Sequence, residues 1–308
     1  MIDEANAAAQ TAFSAWPLLL LTLTVLGGVG AALARPWWVA RRRARLRALP
    51  FPATWRRILR QRVPVVARLP ADLQQRLKGH IQVFIAEKPF IACGGQAIGD
   101  EQRVTIAAQA CLLLLGQARP EVYPGLREVL LYPNAFVVDA AQAAAGGVVH
   151  ERRQVLAGQS WSQGRVILAW DEVRAGAADA DDGRNVVVHE FAHQIDQDKG
   201  VADGRPWRAS RAQRRRWDAV VGAAFSRLQV DRLQADHLQA RHLQADHLQA
   251  DRSGGFAALV GDYGASDPAE FFAVLSELFF ERPQALAAEA PAVYRELALL
   301  YQVHPAAW

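Results

Sequence analysis

The amino-acid sequence predicts a mainly helical α+β domain with a small sheet, preceded by one N-terminal transmembrane helix. Three observations support this prediction: a long uncharged run near the N-terminus, helical periodicity over most of the chain after residue 63, and a few short strand-like segments between residues 128 and 170. With 308 residues, 51% of them hydrophobic, the chain is long enough for one sizeable domain and an accessory segment.

Residues 12–34 carry no charge and are long enough to cross a membrane as a helix. A short acidic tail, residues 1–11, precedes them, and a basic juxtamembrane segment, residues 35–62, follows with ten Arg and no acid. The positive-inside rule then predicts a single-pass protein of the inner membrane with its main domain in the cytoplasm. Trp16 and Trp37 fit interfacial anchors.

A cleaved signal peptide is the alternative to this anchor. Residues 31–34 resemble a small-residue cleavage site, but a signal peptide has its positive charge before the apolar run and a shorter apolar core. Processing would leave a protein without its anchor, either cytoplasmic or released.

The overall charge is +4, and the basic segment accounts for it, because the chain after residue 62 is net acidic. Direct nucleic-acid binding is therefore not indicated. The arginines either attract an anionic leaflet or only set the topology. Cys93 and Cys111 form no disulfide framework and no metal-ligand pair, so they predict a reducing location and two buried thiols.

The domain of residues 63–308 opens with two predicted helices. Residues 70–86 place apolar side chains on one face and have Asp72 near their start. Residues 101–116 form a second helix that becomes very apolar toward its end, which indicates burial.

Three segments are predicted as strands: residues 128–132, 134–139 and 165–170. Pro133 separates the first two and argues for an edge strand or a bulge there. The third segment precedes the motif described below, and as an edge strand it could pair with an extended peptide.

Residues 231–251 repeat a Leu-Gln-Ala unit with a period of five. Five residues do not match the helical turn, so the leucines spiral around the helix and form no packed face. The segment is predicted as a low-complexity, helical insert. Its histidines, His237, His242 and His247, lie on different faces and are not expected to bind a metal together.

A His-Glu-x-x-His motif, His189 to His193, lies within an apolar run that predicts a buried helix. Side chains four residues apart share one helix face, so His189 and His193 can bind one zinc ion. Glu190 is placed to act on a water at that ion without being a ligand. The plain alternative is a helix with two partly buried histidines.

A catalytic zinc site needs a third protein ligand. Lys199 occupies the position where one class of zinc peptidases has a third His. A later helix, predicted to begin with Asp267 as N-cap and Pro268 in its first turn, offers Glu270 and Glu277 on one side. Glu270 could instead complete a capping box, and Glu277 could be an exposed polar residue. The spacing does not choose between these readings.

Several blocks of sequence resemble the Mlc titration factor A family of zinc peptidases, over residues 50–305. The similar blocks are Gly79–Phe84, Val104–Cys111, Tyr123–Leu126, His189–Asp196 and Tyr263–Ala273. The family's catalytic core is similar to that of anthrax lethal factor. The resemblance therefore implies a zincin-like metallopeptidase domain. The membrane span and the pentapeptide insert depart from the family's pattern.

By this resemblance, His189, His193 and Glu270 are expected to hold one Zn²⁺ per chain. Glu190 is expected to be the general base and Tyr263 a hydrogen-bond donor to the transition state; without the resemblance, Tyr263 would be an ordinary half-buried tyrosine. Asp196 either orients a ligand imidazole or lies on the helix surface.

The family implies aminopeptidase-like cleavage of a peptide substrate. It also implies a protein partner, a sugar-responsive transcriptional repressor. The competing function is a non-catalytic binding protein that sequesters this repressor at the membrane.

Overall fold

The computed structural model consists of two compact units, residues 1–49 and residues 50–308. The structure describes residues 2–134, 136–143, 149–156, 158–161, 164–200, 202–206, 210–242 and 255–308. The helix Ala53–Arg62, which the sequence analysis placed in the juxtamembrane segment, belongs to the second unit.

The first unit is one long helix, α1 (Ile2–Ala48), which contains the predicted span of residues 12–34. Its part from Trp16 to Ala48 is long and apolar enough to cross a membrane, and its tryptophans and its leucines up to Leu33 are exposed. The hydroxyls of Thr22 and Thr24 donate to the carbonyls of Leu18 and Leu20, both at 2.7 Å. Such internal bonds leave no hydroxyl unpaired in an apolar surrounding.

The second unit is mainly helical, as predicted. Its helices are α2 (Ala53–Arg62), α3 (Val65–Arg68), α4 (Ala71–Glu87), α5 (Asp100–Leu112), α6 (Trp170–Ala178), α7 (Val186–Asp196), α8 (Arg211–Trp217), α9 (Ala223–His242), α10 (Phe256–Gly264), α11 (Pro268–Glu281), α12 (Pro283–Glu289) and α13 (Pro291–Tyr301). A π-helical turn, Asp218–Gly222, joins α8 to α9, and 3₁₀ turns follow α7 and α13.

A four-stranded sheet lies in the order β1 (Phe90–Ala92), β2 (Glu128–Tyr132), β6 (Arg165–Ala169), β5 (Gly158–Trp161). The first three strands are parallel, with Val129 opposite Val166, and β5 runs antiparallel to β6. A separate hairpin pairs β3 (Phe136–Ala143) with β4 (Val149–Leu156).

The predicted helix of residues 70–86 and the first strand are confirmed, and three details of the prediction are wrong. Helix α5 ends at Leu112 and not at residue 116, because the chain turns there and Gly116 packs directly against the backbone of Tyr301. Trp170 begins α6 instead of ending the strand.

The third wrong detail concerns the sheet edge. Strand β6 is hydrogen-bonded on both sides, to β2 and β5, so it cannot accept an extended peptide. Strand β2 is also internal. Pro133 follows its last residue, where no ladder bond requires an N–H.

Part of the pentapeptide insert, residues 231–242, continues α9 and is helical as predicted. Residues 243–254, including His247, lie outside the described residues, and so do the side chains of His237 and His242. Both cysteines are free thiols; Cys111 is buried as expected, whereas Cys93 is partly exposed.

Helix α7 lies at the centre of the second unit. One face packs into an aromatic cluster, in which the ring centroid of Phe191 lies 4.7 Å from that of Tyr123 and 5.6 Å from that of Phe84. Its other neighbours include α11, whose Phe271 and Phe272 are fully buried. This packing brings the two segments that carry the predicted site side by side.

Candidate metal centre

Helix α7 begins at a capped, buried N-terminus. Asn185 is the N-cap, and its Oδ1 accepts a hydrogen bond of 3.0 Å from the N–H of Val188. Valine residues 187 and 188 fill the core, His189 and His193 lie against Glu270 of α11, and Glu190 directly follows His189. His189, Glu190 and His193 are buried, with no more than 8% of their surface exposed.

Helix α11 starts as the sequence predicted. Asp267 Oδ1 accepts from the N–H groups of Ala269 (2.8 Å) and Glu270 (3.0 Å), and Pro268 occupies the first turn. The side chain of Glu270 does not fold back onto the cap; it reaches His189, with Oε2 2.9 Å from Nε2. The capping-box alternative is therefore not what the structure shows.

The donor atoms of His189, His193 and Glu270 lie within 4.8 Å of one another. The two Nε2 atoms are 3.3 Å apart, and Glu270 Oε1 is 3.6 Å from His193 Nε2. A tetrahedral ion with bonds of about 2.1 Å requires donor atoms roughly 3.4 Å apart. Two imidazoles and a carboxylate at these separations fit a zinc-type ion.

Glu190 lies beside this cluster in an unusual state for a carboxylate. Its Oε2 atom is buried and has no hydrogen-bond partner among the described residues. Burial raises the pKa of Glu190 to about 7, against the opposing charges of the two histidines. A carboxyl group with this pKa can both accept and return a proton near neutral pH.

Glu277 contacts the opposite side of the His189 ring. Its Oε1 lies 2.7 Å from Nδ1, and its Oε2 accepts from the N–H of Asn185 at 2.5 Å. Glu270 and Glu277 thus face one side of α11, as their spacing predicted. The reading of Glu277 as an exposed polar residue is wrong, because only 8% of it is exposed.

The hydrogen bonds between these groups shift the pKa values of His189 and Glu270 in opposite directions. Burial opposes a charged imidazole at His189, but hydrogen bonds to Glu270 and Glu277 outweigh it and raise its pKa to about 10. Glu270 responds in the opposite sense: its bonds to the two histidines overcome the effect of burial and hold its pKa well below the usual range.

Tyr263, at the end of α10, brings a phenol to the rim of the cluster. Its ring centroid is 5.6 Å from that of His189, and 62% of the residue is exposed. Burial at its hydroxyl end, together with the charge and hydrogen bond of Glu270, raises the pKa of Tyr263. The phenol therefore keeps its proton and remains a hydrogen-bond donor.

Among the described residues, Asp196 bonds to the turn after α7 and not to a ligand imidazole. It is buried, so the helix-surface reading is wrong, and its Oδ2 accepts from the N–H of Gly204 at 2.7 Å. Burial raises the pKa of Asp196 to about 6. The carboxylate holds the turn that leads away from α7.

Three further residues, which were not predicted from the sequence, support the site: Asn185, Glu281 and Gly204. Asn185 could have been found, because Asn directly before an apolar helical run is an N-cap signal. Glu281 and Gly204 carry no such signal. Glu281 Oε1 accepts from Asn185 Nδ2 at 2.8 Å, and Gly204 lies against the first residue of α11.

Comparison with known proteins gives consistent results. The model of the glucose-regulated metallo-peptidase M90 family matches residues 37–302. An uncharacterized protein of Synechocystis sp. is 34% identical over 287 residues, which cover 92% of this chain and 97% of the relative.

Two relatives carry the name Mlc titration factor A. The protein of Enterobacter sp. is 35% identical over 79% of this chain and 84% of its own length, and that of Cronobacter sakazakii is 33% identical over 87% and 91%. The family match includes His189, His193 and Glu270, and these relatives confirm the resemblance found in the sequence. The chain belongs to the glucose-regulated metallo-peptidase M90 family and is a relative of proteins named Mlc titration factor A.

Proposed function

We propose that this protein is a zinc-dependent metallopeptidase, with His189, His193 and Glu270 as the metal ligands and residues 63–308 as the peptidase domain. One observation carries the proposal: three donors of the types that zinc prefers converge beside the buried carboxylate of Glu190, whose Oε2 has no hydrogen-bond partner among the described residues. Membership in a metallo-peptidase family supports it.

Zinc, when bound, supplies Lewis acidity that polarises a peptide carbonyl and activates water. In the chain itself, Glu190 takes the proton from the attacking water, since its Oε2 has no competing partner and its pKa of about 7 suits the transfer. Glu190 then returns this proton to the nitrogen of the leaving amine.

Tyr263 acts as a hydrogen-bond donor to the oxygen on which negative charge develops. Its raised pKa keeps the phenol protonated, and its exposed position at the rim lets it contact a bound peptide. A donor of this kind lowers the barrier by about 2.7–4 kcal/mol. We assign aminopeptidase-like cleavage from the sequence resemblance.

The test uses the full-length protein in detergent, loaded with zinc, and short chromogenic peptides. Glu190→Gln should abolish hydrolysis while zinc remains bound, because Glu190 is not a ligand. Glu101→Gln, the same chemical change in an exposed pair with Arg62, is the control and should have no effect. Full activity of Glu190→Gln would rule the mechanism out.

We also propose that helix α1 anchors the domain on the cytoplasmic side of the inner membrane. The exposed apolar surface of α1 and the ten arginines that follow its uncharged segment, residues 12–34, support this orientation. Reporter fusions to the C-terminus decide the orientation, and N-terminal sequencing of the mature chain decides between an anchor and a cleaved signal.

A second role, binding of a transcriptional repressor, is supported by the name of the relatives, Mlc titration factor A. A membrane anchor would hold such a repressor away from DNA. Capture of the repressor by the Glu190→Gln variant should equal capture by wild type if binding is independent of catalysis. Loss of capture in this variant would contradict a separate binding role.

A further inference from the structure

We propose that Glu277 is a positioning residue that fixes the imidazole of His189 with Nε2 directed at the metal. The proposal rests on the function proposed above and adds a residue that is neither a ligand nor a proton carrier. Glu277 lies on α11, seven positions after Glu270, so one helix supplies both a ligand and the support of another ligand.

Both oxygens of Glu277 contact groups of the His189 segment. Oε1 is 2.7 Å from Nδ1 of the ring, and Oε2 accepts from the backbone N–H of Asn185, the N-cap of the same helix. One carboxylate therefore holds the ring and the first turn of α7 at the same time.

The chemical consequence concerns the two nitrogens of the ring. A carboxylate can only accept, so the nitrogen that faces Glu277 must carry a proton. Because Glu277 keeps the proton on Nδ1, the proton that His189 releases on metal binding comes from Nε2, and the hydrogen bond to Glu277 makes Nε2 a better metal ligand. The ring can no longer rotate to present the other nitrogen without losing this bond.

Glu281, one helical turn further along α11, is a natural contrast. Its Oε1 accepts from the side-chain amide of Asn185 at 2.8 Å, whereas the Nδ1 of His189 bonds to Glu277. Burial raises the pKa of Glu281 to about 9. Glu281→Gln keeps the size of the side chain and an oxygen for the bond to Asn185, and it is a matched control for Glu277→Gln.

The experiment measures zinc binding by full-length wild type, Glu277→Ala, Glu277→Gln and Glu281→Gln in detergent at pH 7.5. A chromophoric chelator competes for zinc, and the visible absorption of the Co²⁺ forms reports the geometry around the metal. We expect zinc affinity to fall about 10- to 100-fold in Glu277→Ala. Its Co²⁺ spectrum should change, whereas Glu281→Gln should match wild type in both measurements.

Glu277→Gln keeps the size of the side chain and one acceptor oxygen, so its affinity should lie between those of wild type and Glu277→Ala. If Glu277→Ala does not fold, the Glu277→Gln variant by itself tests whether Glu277 positions His189. A purely structural role would lower the melting temperature and leave the Co²⁺ spectrum of the folded protein unchanged, which overturns the proposal. Wild-type affinity in both Glu277 variants also overturns it. If wild type itself binds no zinc, the proposed function fails as well.

Discussion

Substitution of Gly204 tests how the fold places Glu270. The N–H of Gly204 donates to Asp196 at the end of α7, and its carbonyl accepts from Trp217 Nε1 in α8 at 3.0 Å. Its backbone has φ +72, in the left-handed region, and it lies directly against Pro268. The turn is therefore a spacer between the helix of the two histidines and the helix of Glu270.

The size of the effect follows from this contact. A Cβ on Gly204 would lie 3.0 Å from Pro268 Cβ and overlap the Pro268 carbonyl. Carbon atoms pack at about 3.5–4.0 Å, so Pro268 must withdraw by at least about 0.5–1 Å in Gly204→Ala. Glu270 lies in the same helical turn and moves with it. We expect a loss of zinc affinity of about 10- to 100-fold, as for other changes that misplace a ligand.

Gly95→Ala is the matched control, because Gly95 has φ +79 and no atom within 4 Å of the new Cβ. In both variants, Ala at a positive φ lowers the free energy of unfolding by about 1–2 kcal/mol. This loss lowers the melting temperature by roughly 2–8 °C in a domain of this size. Zinc affinity, measured by chelator competition, should fall only in Gly204→Ala. Equal affinity of the two variants would refute the role of Gly204 as a spacer.

Three further predictions concern charge and capping. The folded state keeps Glu281 protonated up to a pKa of about 9, whereas the unfolded chain ionises near 4.5, so wild-type stability should decline as pH rises between these values. Urea unfolding should therefore show a growing advantage of Glu281→Gln from pH 5 to pH 8, and a constant difference would contradict this. His189, with a pKa of about 10, must release a proton to bind zinc, so zinc affinity should rise roughly tenfold per pH unit from pH 6.5 to 8.5. A flat profile would show that His189 is already neutral. Asn185→Ala should cost about 0.5–2 kcal/mol of stability through loss of the N-cap, and Asn185→Ser should recover most of it in thermal unfolding.

The sequence predicted the local elements that short-range chemistry decides. The apolar run around His189 and the capping signal at Asp267 and Pro268 each predicted a helix where the structure has one. The spacing of Glu270 and Glu277 predicted their common face. These predictions succeeded because helical periodicity and capping depend on residues within one or two turns.

Long-range pairing was not predictable in the same way. The sequence of residues 165–170 does not reveal whether the strand lies at the edge of a sheet or inside it. Only the fold shows that β5 and β2 lie on its two sides. The hypothesis that this strand, as an edge strand, could pair with an extended peptide failed for this reason. The alternatives for Glu277 stayed open because nothing near it in sequence reveals His189 as its partner.

The sequence by itself thus determined the membrane-compatible helix, the helical character of the domain, and the motif His189 to His193 with the capped helix that carries Glu270. Only the tertiary structure decided that Glu270 reaches His189, that Glu277 supports it from the other side, and that Gly204 spaces the two helices. The physical reason is that these contacts join groups far apart in the chain. Their geometry is set by the packing of α7 against α11, and no local pattern encodes it.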